Sequence, residues 1–217
     1  MDGPAGSGKS SVSKEAARRL GFGILDTGAA YRALAATGLR RGIDLDDAEA
    51  VRGILDDWAY SITLTGIPRV TVDGLDVTEE IREPRVSAEV SRVARIPAVR
   101  ETLNEMFRRA VAESGLPGVI IEGRDITTVV APNAPVRILL TADPAVRAQR
   151  RAGELTGSDA AEVLASLTER DAKDAQVVDF LQAAPGVTLV DSTALNFDET
   201  VEAVLDVIRT QHTGEQR

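Results

Sequence analysis

Cysteine is absent from the 217 residues, and a single histidine, His212, lies in a polar tail. The first absence excludes a disulfide scaffold and suits a reducing cytoplasm, the expected location. The second argues against a Ser/His/Asp hydrolase and against a histidine metal site. No run approaches the ~20 apolar residues of a membrane span. Met1 leads straight into Asp2-Gly3-Pro4, which does not read as a secretory leader. Positive charge is scarce: 25 Lys and Arg against 34 Asp and Glu give a net charge of −9. An isoelectric point of about 4.8 argues against a nucleic-acid-binding surface. Neither a nucleic-acid nor a membrane partner is expected, and the chain is read as a monomer. The basic residues that bear on function cluster locally, at Arg147, Arg150 and Arg151 and at Gly123-Arg124.

The length suits one α/β domain with lobes. A helix is predicted from Ser10 to about Leu20, with Val12, Ala16 and Leu20 one face apart and Gly21 as its stop. A short buried strand, Phe22–Asp26, and a helix through Tyr31 and Leu34 to about Gly42 follow. Asp44 or Asp46 is expected to cap a third helix, whose apolar stripe is Val51, Ile54, Leu55 and Trp58. Between Tyr60 and Val77 apolar residues alternate with threonines, and Asp73-Gly74 is a hairpin turn, so a small antiparallel insert is predicted. Helices open near Pro84 and at Pro97. Val119–Ile121 and Val136–Leu140 read as central parallel strands. Asp143-Pro144 caps the helix carrying the three arginines, and Asp159 with Glu162 makes a capping-box pattern for the next. Thr188–Val190 is the last strand, before a helix over about 198–209.

Gly3-Pro4-Ala5-Gly6-Ser7-Gly8-Lys9-Ser10 satisfies every constrained position of G-x-x-x-x-G-K-[ST]. Its glycines let backbone N–H groups turn around phosphate oxygens, and the following helix adds its positive end. Lys9 is placed to reach the β- and γ-phosphates, the Ser10 hydroxyl to join a Mg²⁺ shell, and Ser11 to line the same nucleotide. Such a loop normally ends a central strand, yet only Met1 and Asp2 precede it. Either the strand is truncated at its start or the sheet does without it. In Leu25-Asp26-Thr27-Gly28-Ala29-Ala30-Tyr31-Arg32, Thr27, Tyr31 and Arg32 surround the start of a helix. Thr27 and Arg32 there fit either an acceptor phosphate or a plain helix cap with a solvated arginine.

Together these motifs resemble bacterial cytidylate (CMP) kinases over essentially the whole chain. The stretches that carry the resemblance are DGPAGSGKSS, LDTGAAYR, VDGLDVTEEIR, SRVARIPAVR, EGRDITTVV and APNAPVRILLTADPAVRAQRR. The insert and EGRD discriminate, since a phosphate loop alone fits many NTPases. The resemblance implies that Ser91, Arg100 and Asp125 read the cytosine ring. It also implies that Arg32 and Arg124 clamp the acceptor phosphate, where a planar guanidinium suits bidentate contact. Glu122 and Asp26 are candidates to place Mg²⁺ through water. Arg147, Arg150 and Arg151 fall in what looks like the family's mobile lid, and Arg147 and Arg151, at i and i+4, are expected to share a face toward the donor triphosphate. Arg170 and Asp174 match contacts to the acceptor sugar, but Val177 stands where the pattern has a further arginine. On a continuous helix all three would line one face.

The expected fold is therefore α/β: a P-loop NTPase-type parallel sheet flanked by helices, with a small antiparallel β insert in the NMP-binding lobe and a helical lid. The core is expected over 1–34, 115–145 and 186–210, the NMP-binding lobe over about 35–114 and the lid over about 146–180. The implied reaction moves the γ-phosphoryl group of ATP to CMP or dCMP with Mg²⁺, using Lys9, Arg124, Arg147 and Arg151 at the reacting phosphates. Two other readings stay open: a kinase for UMP, AMP or another metabolite, and a non-catalytic nucleotide-binding homologue, for which the short start and Val177 speak.

Overall fold

A left-handed glycine stands at each end of α1 (Lys9–Leu20): Gly8 at φ 88° and Gly21 at φ 68°. The helix thus springs directly from the phosphate loop, and the Gly21 N–H closes it on the carbonyls of Ala17 and Arg18. The computed structural model describes residues 1–154, 160–178 and 180–214. After α1 come β1 (Gly23–Asp26), α2 (Thr27–Arg40) and α3 (Ala48–Ile54). Then follow β2 (Tyr60–Ile62), β3 (Val70–Val72), β4 (Leu75–Asp76), α4 (Pro84–Ser87), α5 (Val90–Ala94) and α6 (Pro97–Ala112). The chain continues through β5 (Val119–Glu122), β6 (Ile138–Thr141), α7 (Pro144–Glu154), α8 (Ala160–Ala175), β7 (Thr188–Asp191) and α9 (Phe197–Gly214). Among the described residues no helix is long and apolar enough to cross a membrane.

The elements fall into two compact units: Met1–Gly21 with the chain from Ile120 onward, and Phe22–Val119. In the first, β6 and β7 pair in parallel, from Ile138 opposite Thr188 to Thr141 opposite Asp191. Asp2 bridges in parallel to Gly123 on one side and to Leu139 on the other. Its N–H donates to Ile138 O and its carbonyl accepts from Leu140 N, both at 2.8 Å. Asp2 thus lies between Gly123, just after β5, and Leu139 of β6 at the entry to the phosphate loop. Ile138, Leu140 and Val190 of the sheet pack with Val12 and Ala16 of α1 and Val201, Val204 and Leu205 of α9. Each fully buried Val or Leu in such a cluster contributes roughly 1.5–3 kcal/mol. A smaller cluster, Ala5 with Ala148, Val163 and Leu167, seats α7 and α8 on the phosphate loop. Asn196 and Glu199 cap α9 reciprocally, each side chain accepting from the other's N–H at 3.0 and 2.8 Å.

The second unit is organised by α2, whose run Ala33–Gly38 is buried throughout. Small side chains let neighbours approach closely, and a Cβ on Gly38 would come within 2.5 Å of Leu45 Cδ2. β2, β3 and β4 form the antiparallel insert, with Tyr60 opposite Val72. Asp73 and Gly74 turn the hairpin at φ 52° and 80°, as the Asp-Gly pair predicts. Trp58 stacks on Tyr60 with ring centroids 4.8 Å apart, and its Nε1–H donates to Thr37 Oγ1 at 3.1 Å.

Local expectations need correction in four places. α3 is capped by Asp47, whose carboxylate accepts from Glu49 N and Ala50 N, because Asp44 is already engaged by the Asp46 N–H. Trp58 lies beyond the end of α3 and belongs to the approach to the insert. The helix expected from Pro84 is broken into α4 and α5. Finally, α8 ends at Ala175, and the N–H groups of Val177 and Val178 both close turns on Asp174 O, at 3.0 and 3.1 Å, so Val177 lies in the turn that ends the helix. Asp159 of the expected capping box lies outside the described residues.

Candidate active site

Gly3 is where the loop's close packing begins. A Cβ there would stand 2.1 Å from the carbonyl oxygen of Leu140, at a φ of 152° that side chains rarely adopt. Only glycine lets the backbone pass this tightly over β6. Lys9 Nζ donates to Pro4 O at 2.9 Å, which holds the ammonium over the loop. Ser10 and Ser11 are exposed in the first turn of α1. That turn contains no acidic residue, so the helix's positive end faces no competing side-chain charge of its own.

Arg124 and Arg147 both reach this loop. Arg124 Nη1 donates to Gly3 O at 2.7 Å, and its Nη2 pairs with Asp174 at 2.8 Å and Asp171 at 3.3 Å. Its guanidinium also lies over the Phe180 ring, 4.5 Å from the centroid. Arg147, 7% exposed, donates from Nη1 to Ala5 O at 2.7 Å and to Asp171 Oδ2 at 2.6 Å. The other Asp171 oxygen accepts the Ala5 N–H at 2.9 Å. Lys9, Arg124 and Arg147 are thereby brought to one loop, whereas the resemblance implied Lys9 and Arg147 at the donor phosphates and Arg124 at the acceptor phosphate. Arg150 and Arg151 are placed differently. Arg150 binds Ser192 Oγ, Ser192 O and Leu195 O at 2.9, 2.6 and 2.9 Å, and Arg151 is exposed. Arg147 and Arg151 therefore do not share one environment. Arg170 lies in α8, with its side chain outside the described residues.

Asp125 and Glu122 are both buried. Asp125 precedes a single π turn, Ile126–Val130. That turn is anchored by Asp2: one carboxylate oxygen accepts from Ile126 N at 2.7 Å. The other accepts from Thr127 N at 2.8 Å and from Thr127 Oγ1 at 2.6 Å. Sequence reasoning treated Asp2 as the stub of a strand. The signal for more was a carboxylate directly before a phosphate loop.

In the unit 22–119, Asp26 rather than Thr27 caps α2, accepting from Ala29 N at 3.0 Å. Its second oxygen holds Arg32 Nη2 at 2.7 Å, and Thr27 is buried in the first turn. The Tyr31 ring lies 6.4 Å from that of Phe107. Ser91 sits on α5 and Arg100 in the first turn of α6, both half-buried. Tyr60 Oη is buried without a hydrogen-bond partner. Burial pushes the Tyr60 phenol well above the ordinary tyrosine range, and the Asp26 carboxylate adds to the shift. Nothing in the spacing of the insert pointed to this tyrosine.

The sequence profile of cytidylate kinases matches residues 1–210. The chain is 47% identical to the cytidylate kinase of Cutibacterium acnes over 212 residues, covering 96% of this chain and 94% of that one. It is 45% identical to the cytidylate kinase of Rhodococcus opacus, covering 96% and 93% of the two chains. Identity to the cytidylate kinase of Pelotomaculum thermopropionicum is 42%, over 94% and 92%. With a complete phosphate loop, two arginines seated on it and likeness along its whole length, this chain belongs to the cytidylate kinase family.

Proposed function

We propose that the protein transfers the γ-phosphoryl group of ATP to CMP or dCMP, giving ADP and CDP or dCDP. The observation that carries this reading is the seating of Arg124 and Arg147 beside Lys9 on a phosphate loop, in a chain of this family. A loose phosphoryl-transfer transition state spreads charge over three oxygens, so fixed cations do most of what catalysis requires. In this reading Lys9 meets the β- and γ-phosphates and Arg124 the acceptor phosphate. Arg147 and Arg151 act on the donor side, and Arg150 belongs to the ATP site through the same helix. The loop Gly3–Ser11 wraps the donor. No histidine base is needed, because a phosphate oxygen of CMP is already a competent nucleophile near neutral pH.

Among the described residues no group of three or more His, Asp or Glu is placed to hold a metal. That suits Mg²⁺, which keeps water and substrate phosphates as most of its ligands. The exposed Ser10 hydroxyl in the first turn of α1 is the protein ligand that fits. The ion would supply neutralisation of charge on the bridging phosphate oxygens.

For the acceptor, Ser91, Arg100 and Asp125 read cytosine: a carboxylate suits its exocyclic amine and a guanidinium its ring acceptors. Uracil would set its own acceptor against Asp125, at a cost of about 1–3 kcal/mol. Thr27, Tyr31 and Arg32 hold the phosphate end, Arg170 and Asp174 the sugar. The lobe over about 35–114 carries the acceptor, and the segment over about 146–180 acts as a lid that keeps water from the donor. A coupled ADP-release assay across CMP, dCMP, UMP and AMP tests the reading. CMP and dCMP should exceed the others in kcat/KM. Equal activity with AMP would remove the cytosine assignment, and binding of ATP and CMP without any ADP would favour a non-catalytic nucleotide-binding protein.

A further inference from the structure

We infer that Asp171 is a positioning residue for phosphoryl transfer, holding the phosphate loop, Arg147 and Arg124 in one arrangement through a single carboxylate. The inference rests on the function proposed above. Asp171 is only 6% exposed, and a buried carboxylate is costly unless its oxygens are fully used. Here they are. Oδ1 takes the Ala5 N–H at 2.9 Å and lies 3.3 Å from Arg124 Nη2, while Oδ2 takes Arg147 Nη1 at 2.6 Å.

The same Arg147 Nη1 donates to the Ala5 carbonyl at 2.7 Å. Asp171 and Arg147 therefore grip both polar groups of one residue of the phosphate loop. The Ala5 side chain is meanwhile packed among Ala148, Val163 and Leu167. Backbone and side chain of Ala5 are both committed to α7 and α8. Arg124 secures the loop a second time, at Gly3 O.

Two guanidiniums converge on this carboxylate, and without it they repel across a poorly solvated space. The dependence is unequal. Arg124 keeps Asp174 at 2.8 Å when Asp171 is neutralised, whereas Asp171 is the ion-pair partner of Arg147 among the described residues. The chemical consequence falls on orientation: donors must already point at the developing charge, and small displacements are expensive in rate.

Asp171→Asn keeps the shape and one acceptor but removes the charge. With CMP and ATP as substrates, kcat should fall by about tenfold to a hundredfold, with KM for each nucleotide within about threefold of the parent value. In an Arg147→Ala background the same change should cost about twofold or less, because the two residues act as a unit. A second arm needs no turnover: in ¹⁵N-labelled protein, Asp171→Asn should shift the Ala5 amide resonance and speed its exchange. Full loss of kcat in both backgrounds, or a lower KM for ATP at unchanged kcat, overturns the inference. The latter would mean that the carboxylate competes with a phosphate oxygen. Lower thermal stability with unchanged kcat overturns it as well. A parent chain that turns over no acceptor refutes the proposed function instead, and an unmoved Ala5 amide would then refute the role of Asp171 on its own.

Discussion

Asp2→Asn is the sharpest single perturbation of the site's framework. The parent carboxylate accepts three hydrogen bonds, Oδ1 from Ile126 N and Oδ2 from Thr127 N and Oγ1, at 2.6–2.8 Å, with the residue 3% exposed. Asparagine has the same outline but one acceptor oxygen. With that oxygen on Ile126, the amide NH₂ faces the Thr127 N–H, and two donors meet. With the amide flipped, the Ile126 N–H is left bare. The Thr127 hydroxyl can rotate to accept, but one buried backbone N–H loses its partner in either case, at about 1–3 kcal/mol. The remaining bonds lose their charge assistance, which about halves them. Against this, removing a buried charge recovers part of its desolvation cost. The net loss is about 2–3 kcal/mol, and at roughly 2–4 °C per kcal/mol for a chain of this size Tm should drop by about 4–12 °C. A thermal melt of parent and variant in the same buffer measures it. A Tm within about 2 °C of the parent would show that the π turn does not depend on Asp2.

Lys9→Ala should lower turnover by several orders of magnitude, because it removes the charge that meets the β- and γ-phosphates; near-parental turnover would show that this loop is not the donor site. Arg150→Ala removes three bonds to the Ser192–Leu195 turn and should cost about 2 kcal/mol, read as a lower Tm, together with a raised KM for ATP; a lower Tm with an unchanged KM for ATP would take Arg150 out of the nucleotide site. Val177→Arg should be tolerated, because Val177 is 37% exposed; a large loss of stability would contradict its place outside α8, and a several-fold lower KM for CMP would put the new guanidinium at the acceptor.

Periodicity and punctuation in the sequence located α1, α2, the Asp73-Gly74 hairpin and the parallel strands, because each depends on neighbours within a few residues. The cap of α3 was misread because three aspartates stand within four positions, and which one caps depends on where the chain turns after Gly42. The register drawn from Arg170 to Val177 runs past Ala175, where α8 gives way to a turn closed on Asp174 O. The resemblance named Arg124 and Arg147 for the reacting phosphates, while motif spacing put Lys9 in the phosphate loop. It gave no hint of Asp171, Asp2 or Tyr60, whose environments come from residues far off in the chain, such as Ala5 166 positions away from Asp171. A buried carboxylate that organises arginines looks, in one dimension, like any acid beside a base.

The stacked pair of Trp58 and Tyr60 makes the molecule its own optical instrument. Trp58 is the sole tryptophan, and both rings lie in the unit 22–119. Indole emission during denaturation therefore follows the insert and α2 alone, while far-ultraviolet ellipticity is weighted by α1, α7, α8 and α9 as well as by the helices of that unit. If the two signals trace one curve, the chain melts as a single cooperative body. If they separate, the fluorescence midpoint belongs to the unit that carries Arg32 and Arg100, and added CMP should move that midpoint more than ATP does.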